Sequence, residues 1–164
     1  MNRLVKVLLL GLVANAVAAP GWVSASDAPK SGQPAIYDES ADGAKQIADA
    51  LAQAKPGGKR VLLQFGANWC IWCHRLHDLL ESDPALAQEL KSDYVFVLVD
   101  VNKGHNEATN EKYGKPTRFG LPALVVLDAD GKQLTTKDSG ELEEGKGHSP
   151  AKVLAFLKQW APAK

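Results

Sequence analysis

Two cysteines, Cys70 and Cys73, are the residues whose type and spacing point most directly to chemistry. They stand three positions apart at the predicted start of a helix, so both sulfur atoms lie on one side and can form a disulfide bond. Unpaired backbone N–H groups and the positive end of the helix dipole stabilise a thiolate there, so Cys70 is predicted to be the nucleophile with a lowered pKa. Cys73, one turn deeper, is predicted to attack a mixed disulfide on Cys70 and release the partner.

Two nearby histidines suggest two other kinds of site. Cys70, Cys73 and His74 have the spacing of a c-type haem attachment motif, but here the motif follows a strand, and the one methionine, Met1, stands in a segment predicted to be removed. Cysteine and histidine also suit zinc or copper transfer. However, His74 points about 100° around the helix from Cys73, so four ligands including His77 would converge only with strain. We therefore expect no cofactor and no metal.

The elements that must position the cysteines are strands alternating with helices. Predicted strands are Arg60–Phe65, Tyr94–Asp100, Ala123–Leu127 and Lys132–Thr136, the last two forming a hairpin. Predicted helices begin at Asp42, near Cys70, after Ser82-Asp83, at Asn106 and at Ser149. Because Tyr94–Asp100 is apolar throughout, it is predicted to be a central strand covered on both faces. The pattern predicts a three-layer α/β/α sandwich around a mixed sheet.

Composition narrows the functional classes. The chain has 164 residues, 45% of them hydrophobic and 23% charged, which is enough for one core in a soluble protein. Its 19 Lys and Arg balance 19 Asp and Glu, so no basic field favours nucleic-acid binding. We expect a monomer in which the segment Lys137–His148 is an exposed connection and in which His105 and His148 are solvated.

Residues 1–25 have the layout of a bacterial export signal. A positively charged start precedes an apolar run over residues 7–14, which is shorter than the roughly 20 residues of a membrane-spanning helix. Ala16–Ala18 and Val23–Ala25 both fit a cleavage site, and cleavage after Ala25 is favoured because the earlier cut leaves Pro20 close behind it. An uncleaved membrane anchor is the alternative. Cleavage would release the protein into the periplasm or another exported site, without membrane insertion, where disulfides persist.

The residues around the cysteines resemble the thioredoxin family. A strand ends in Phe65, Trp69 directly precedes the Cys-x-x-Cys, and Gly120-Leu121-Pro122 stands just before another strand. The resemblance covers about residues 40 to 162, and implies a thioredoxin-like domain at 40–164. The composition of the stretch before it predicts a flexible lead-in at 26–39. It also implies a cis Leu121–Pro122 bond beside the disulfide. The substrate-binding residues it suggests are Trp69, Leu121 and Pro122. Trp72 is a further candidate for substrate binding, because exposed aromatic residues often mark interfaces, with ordinary covering of the helix as the alternative.

Departures from the family pattern restrict what the resemblance implies. Ile71-Trp72 replaces the Gly-Pro dipeptide of reducing thioredoxins, so a redox potential cannot be transferred from them. Gln64 stands where the family has a buried aspartate that helps to deprotonate the second cysteine, and Phe96 replaces the lysine partner of that aspartate. Water or His77 is then a candidate for proton transfer at Cys73. We expect Gln64, His74 and His77 to tune the cysteines.

Within the family, the chain is similar to exported members such as the C-terminal domain of the periplasmic thiol:disulfide interchange reductase DsbD. This likeness predicts a thiol:disulfide oxidoreductase of the reductase or isomerase type that leans toward reduction. It would act on protein thiols and disulfides and receive electrons from a redox partner, which for such members can be in the membrane. Two alternatives remain: a thioredoxin-fold binding module with idle cysteines, and a Cys/His metal-transfer protein.

Overall fold

The computed structural model describes residues 33–163. The predicted export signal at residues 1–25, with both of its cleavage sites, lies outside them. Within this described part, no helix combines the length and the apolar character that a bilayer crossing requires.

Helices and strands alternate in the order that the sequence predicts, with small shifts at their ends. The strands are β1 (Arg60–Gly66), β2 (Tyr94–Asp100), β3 (Ala123–Leu127), β4 (Gln133–Asp138) and the short β5 (Glu143–Glu144) and β6 (Gly147–His148). The helices are α1 (Gly43–Ala54), α2 (Ile71–Ser82), α3 (Pro84–Asp93), α4 (Glu107–Lys112) and α5 (Pro150–Trp160). Short 3-10 turns occupy residues 55–57, 102–104, 116–119 and 139–142.

Local hydrogen bonds explain where the helices begin. The Asp42 carboxylate accepts a bond from the Lys45 N–H at the start of α1. The Asp83 carboxylate caps α3, whose first residue is Pro84. Ser149 stands at the predicted cap of α5, but its side chain makes no capping bond, so α5 begins on backbone hydrogen bonds and Pro150 alone.

The main sheet is mixed, with the strand order β2-β1-β3-β4. β1 runs parallel to β2 and antiparallel to β3, and β4 completes the hairpin. The prediction that Tyr94–Asp100 is central is wrong, because β2 lies at the edge of the sheet. Its continuous apolar sequence has another cause: α1 packs on one face of β2 and α3 on the other, so both faces need apolar side chains whatever the position of the strand.

Each face of the sheet has its own core, which confirms the three-layer architecture. Along β1 the side chains alternate, so Leu63 and Phe65 join the core on the α1 face whereas Leu62 joins the core under α2, α3 and α5. Full burial of each leucine stabilises the fold by about 1.5–3 kcal/mol. The same alternation sends Gln64 to the face that carries α2, where it meets the cysteines.

The segment 137–148 is not the exposed connection that its polar composition predicts. Leu142 is buried in the α2, α3 and α5 core, and Ser139 and His148 are also buried. β5 pairs with β6, and β6 packs against α2. The segment is thus held on the domain by the buried Leu142 side chain together with the pairing of β5 with β6 and the packing of β6 against α2.

The predicted flexible lead-in also has a packed end. The Asn68 amide oxygen accepts bonds from the backbone N–H groups of Ile36 and Tyr37, each 2.9 Å long, and the Asn68 amide nitrogen donates to the Tyr37 carbonyl at 3.0 Å. Tyr37 itself is buried. The prediction of flexibility over 26–39 is therefore wrong for its final residues, because Asn68 holds the backbone and the core accepts the phenol ring.

Candidate active site

A disulfide bond joins Cys70 and Cys73, whose Cα atoms are 5.3 Å apart. Cys70 is the N-cap of α2, and its sulfur accepts a hydrogen bond from the Cys73 N–H at 3.2 Å. Cys73 is completely enclosed, whereas Cys70 keeps 5% of its surface exposed. The helix start therefore offers one sulfur at the edge of the protein surface, with a backbone donor aimed at it, and holds the other inside.

The turn between β1 and α2 brings the cysteines to the end of the sheet. The Cys70 N–H donates to the Ala67 carbonyl at 3.0 Å, which closes a turn directly after Gly66. A Cβ atom added at Gly66 would lie 2.7 Å from the Cys73 sulfur and closer still to the Tyr37 hydroxyl oxygen. Glycine is required here because the disulfide and the phenol occupy the space of a side chain.

Gln64 links the enclosed cysteine to Tyr37. It is fully buried, and its amide nitrogen donates to the Tyr37 hydroxyl oxygen at 2.7 Å and to the Cys73 carbonyl at 3.2 Å. Burial raises the pKa of the Tyr37 phenol well above its ordinary value. Sequence reasoning missed Tyr37; the available signal was the apolar pair Ile36-Tyr37 within an otherwise polar stretch.

The two histidines of α2 occupy different surroundings. His74 is buried and one ring nitrogen, Nε2, lies 2.8 Å from the Asn68 carbonyl oxygen, so it braces the turn that precedes the cysteines. His77 lies beside Glu81, with 3.4 Å between Nε2 and the carboxylate, and its ring is 6.3 Å from the Phe96 ring. Within residues 33–163 the structure gives no hydrogen bond between His77 and Cys73.

Apolar side chains surround the exposed edge of the disulfide. Trp69 is 56% exposed and its indole N–H donates to Asn102 at 3.1 Å. Leu121 packs against the cluster that contains both cysteines, and the Leu121–Pro122 peptide bond is cis. The Pro122 carbonyl accepts a hydrogen bond from the Ser139 hydroxyl.

Trp72 packs against the protein on two sides. The Arg75 guanidinium lies 4.7 Å from the centre of its ring, and the His148 ring meets it edge-on. His148 is buried rather than solvated, and desolvation together with Arg75 lowers its pKa. The prediction of a solvated His148 fails because the short β5–β6 hairpin presses the residue against α2.

A buried carboxylate lies at the end of β2, opposite Gly66 in the strand register. Asp100 accepts bonds from the Asn102 N–H at 3.2 Å and from His105 Nδ1 at 2.9 Å, so the expectation that His105 is simply solvated is also wrong. Burial raises the pKa of Asp100. Among the residues described, no three His, Cys, Asp or Glu side chains are grouped so as to hold a metal ion.

The chain is similar in sequence and in structure to known proteins of one family. A thioredoxin-like family model matches residues 43–129. The chain is 35% identical to a disulphide isomerase of known structure from Xylella fastidiosa Temecula1, with a TM-score of 0.68 over 76% of this chain and 95% of that one. It is 26% identical to the oxidised C-terminal domain of DsbD from Neisseria meningitidis, with a TM-score of 0.54 over 73% of this chain and 97% of that one.

A curated relative is much longer than this chain. The thiol:disulfide interchange protein DsbD of Vibrio vulnificus strain YJ016 is 28% identical over 130 residues, which are 79% of this chain and 21% of that protein. The chain thus spans about a fifth of the length of that relative.

Proposed function

The chain belongs to the thioredoxin-like family, and on that premise we propose that it is a thiol:disulfide oxidoreductase that exchanges disulfides with protein partners. The observation that carries the proposal is the Cys70–Cys73 disulfide at the amino end of α2, with one sulfur at the surface edge and the other enclosed. When this bond is reduced, the helix start stabilises a thiolate on Cys70, which makes it the nucleophile.

The exchange proceeds in two attacks. The Cys70 thiolate attacks a substrate disulfide, forms a mixed disulfide and releases the first substrate sulfur as a thiolate. That sulfur takes the proton of Cys73 and leaves as a thiol. The Cys73 thiolate then attacks Cys70, restores the Cys70–Cys73 bond and releases the second substrate thiolate. The substrate disulfide gains the two electrons that the cysteine pair loses.

Substrate binding is assigned to the surface around Cys70. Exposure of Trp69, together with the position of Leu121 beside the cysteines, supports contact with an apolar or extended segment of a partner. Pro122, which follows Leu121 through the cis peptide bond, is assigned to the same surface. Trp72 contributes one edge of it, since its ring is held by Arg75 and His148 and is only partly buried.

Three buried or half-buried residues tune the cysteines in this proposal. The Gln64 amide acts on Cys73 by donating a hydrogen bond to the Cys73 carbonyl. His74 acts on Cys70 by fixing the turn at Asn68. His77 is assigned the same role from the next turn of α2, where its Nε2 lies 3.4 Å from the Glu81 carboxylate.

Export and the direction of electron flow belong to the same proposal. The export signal read in residues 1–25 supports a periplasmic or otherwise exported monomer, and the likeness to DsbD domains supports reduction of protein disulfides. Its electrons then come from a redox partner in or at the membrane. The neighbour named as a disulphide isomerase supports disulfide isomerisation, which transfers no net electrons, as a second activity.

A binding module with idle cysteines is the alternative function, favoured by the exposed apolar side chains Trp69, Ile71 and Phe119. The variant Cys73→Ser separates the two functions. Exchange predicts that this variant accumulates mixed disulfides through Cys70 that reducing agent dissolves, and that the wild-type pair equilibrates with glutathione buffers at a measurable potential. A binding module would capture partners equally well when both cysteines are serine.

A further inference from the structure

The Tyr37 hydroxyl group lies next to the one sulfur of the pair that solvent does not reach. Both the phenol oxygen and the Cys73 sulfur lie within 2.7 Å of the point where a Gly66 side chain would begin. The two atoms therefore cannot be farther apart than those two short distances together. Tyr37, Cys70 and Cys73 form one buried cluster.

Gln64 determines how this hydroxyl group is used. Its amide N–H donates to the Tyr37 oxygen at 2.7 Å, which occupies an acceptor site of the phenol and leaves the phenol hydrogen to another partner. The second bond of Gln64, to the Cys73 carbonyl, fixes the amide between the phenol and the cysteine. Of the atoms that gain negative charge during exchange, the Cys73 sulfur is the one nearest to the Tyr37 hydroxyl group.

The buried thiolate needs a donor at this place. Cys73 is fully enclosed, and an enclosed anion without hydrogen bonds is strongly disfavoured. Gln64 is neutral and donates its N–H groups elsewhere, and His74 is engaged at the Asn68 carbonyl. Asp100 is the charged side chain whose field reaches Tyr37, and as a carboxylate it opposes a second negative charge nearby.

We propose that the Tyr37 hydroxyl group donates the hydrogen bond that stabilises the Cys73 thiolate during disulfide exchange. This inference rests on the proposed oxidoreductase function and adds a residue from outside the Cys-x-x-Cys segment. Burial keeps the phenol protonated, so Tyr37 is a donor and not a base. The Cys73 proton still leaves with the first substrate sulfur, and Tyr37 transfers neither proton nor electron.

The test compares Tyr37→Phe with Tyr94→Phe in the full chain. Tyr94 is as deeply buried as Tyr37, but its hydroxyl group donates to the Leu157 carbonyl, in the core under α5. In a Cys70→Ser background, Tyr37→Phe is expected to raise the pKa of Cys73, followed by thiolate absorbance, by about one to two units. In a protein that keeps both cysteines, Tyr37→Phe is expected to slow the release of a partner from a preformed mixed disulfide on Cys70 at neutral pH by about tenfold or more. Tyr94→Phe leaves both quantities unchanged.

A measurement on the chain with native tyrosines covers the case in which Tyr37→Phe does not fold. With tyrosines labelled at the ring carbon that bears the oxygen, the Tyr37 resonance should shift with pH at the pKa of Cys73 in the reduced protein, while the Tyr94 resonance stays constant. A Tyr37 resonance that does not follow Cys73, or an unchanged Cys73 pKa in folded Tyr37→Phe, overturns the inference. Absence of exchange in the wild type would instead overturn the proposed function, a separate result.

Discussion

The ring of His148 stands perpendicular to the ring of Trp72, with 5.7 Å between the ring centres. Trp72 is one of the two residues between the cysteines, so this contact joins the redox segment to the β5–β6 hairpin. Both His148 ring nitrogens are buried and make no hydrogen bond with any residue from 33 to 163. The contact is thus one of ring packing, and burial together with Arg75 lowers the pKa of the imidazole that makes it.

The first prediction concerns the acid side of the stability profile. Because the pKa of folded His148 is lowered, the unfolded chain binds its proton more readily below the ordinary histidine pKa of about 6.5. Its stabilising contribution is therefore complete above that pH and is lost as pH falls through the lowered folded pKa. His148→Phe keeps the ring contact and should reduce the loss of unfolding free energy between about pH 7 and pH 5. Denaturant unfolding at several pH values in this range measures the effect. If the unfolding free energy falls equally steeply with pH in the wild type and in His148→Phe, the prediction is refuted.

Gly66→Ala tests how closely the Tyr37 and Cys73 side chains pack against the backbone at Gly66. The new methyl group meets the Tyr37 hydroxyl first and the Cys73 sulfur next. Overpacking of this kind costs about 1–3 kcal/mol of unfolding free energy. The cost should be smaller in a Tyr37→Phe background, because the closest atom is then absent. A double-mutant cycle by urea unfolding measures the coupling, and strict additivity would show that the two residues are independent.

Asn68→Ala should loosen the segment that carries Tyr37. The substitution removes buried hydrogen bonds to the Ile36 and Tyr37 backbones, and we expect a loss of about 2–4 kcal/mol in unfolding free energy. Protease cleavage between residues 33 and 42 should also become faster than in the wild type. The control is Ser92→Ala, which removes one exposed hydrogen bond to the Glu89 carbonyl and should change neither quantity measurably.

Trp69→Ala should separate substrate binding from redox chemistry. Trp69 is more than half exposed, so its removal should alter the unfolding free energy by less than about 1 kcal/mol. Reduction of a protein disulfide is expected to slow several-fold through a higher KM, while reduction of oxidised glutathione keeps its rate. A parallel loss for both substrates would instead place Trp69 in the chemistry of the cysteines.

Sequence patterns predicted the parts of the fold that local chemistry decides. The caps at Asp42 and Asp83, the apolar run of β1 and the cysteine spacing each carry their information within a few residues. The edge position of β2 could not be read in this way, because a strand covered by helices on both faces is apolar whether one or two strands flank it. Only the pairing of β1 with β3 reveals it.

The candidate site was predictable where its residues are contiguous. Cys70 and Cys73 follow from their spacing, whereas Tyr37 reaches them from 33 positions before Cys70, through Asn68 and Gln64. His148 is likewise distant in sequence and stands in a stretch rich in Glu, Lys and Gly. In both cases a buried side chain stands within a mostly polar segment, so the average composition of the segment does not reveal it.

The hydrogen bonds from the Ile36 and Tyr37 backbone to Asn68 fix where the polypeptide joins the domain. Gln33 stands four positions before Tyr37, a reach of at most about 14 Å when the chain is extended. A purification tag or fused protein joined just ahead of Gln33 would therefore begin within this reach of Tyr37, whose side chain packs with the redox pair. Fusions at the opposite terminus of the chain are the safer choice for measuring exchange.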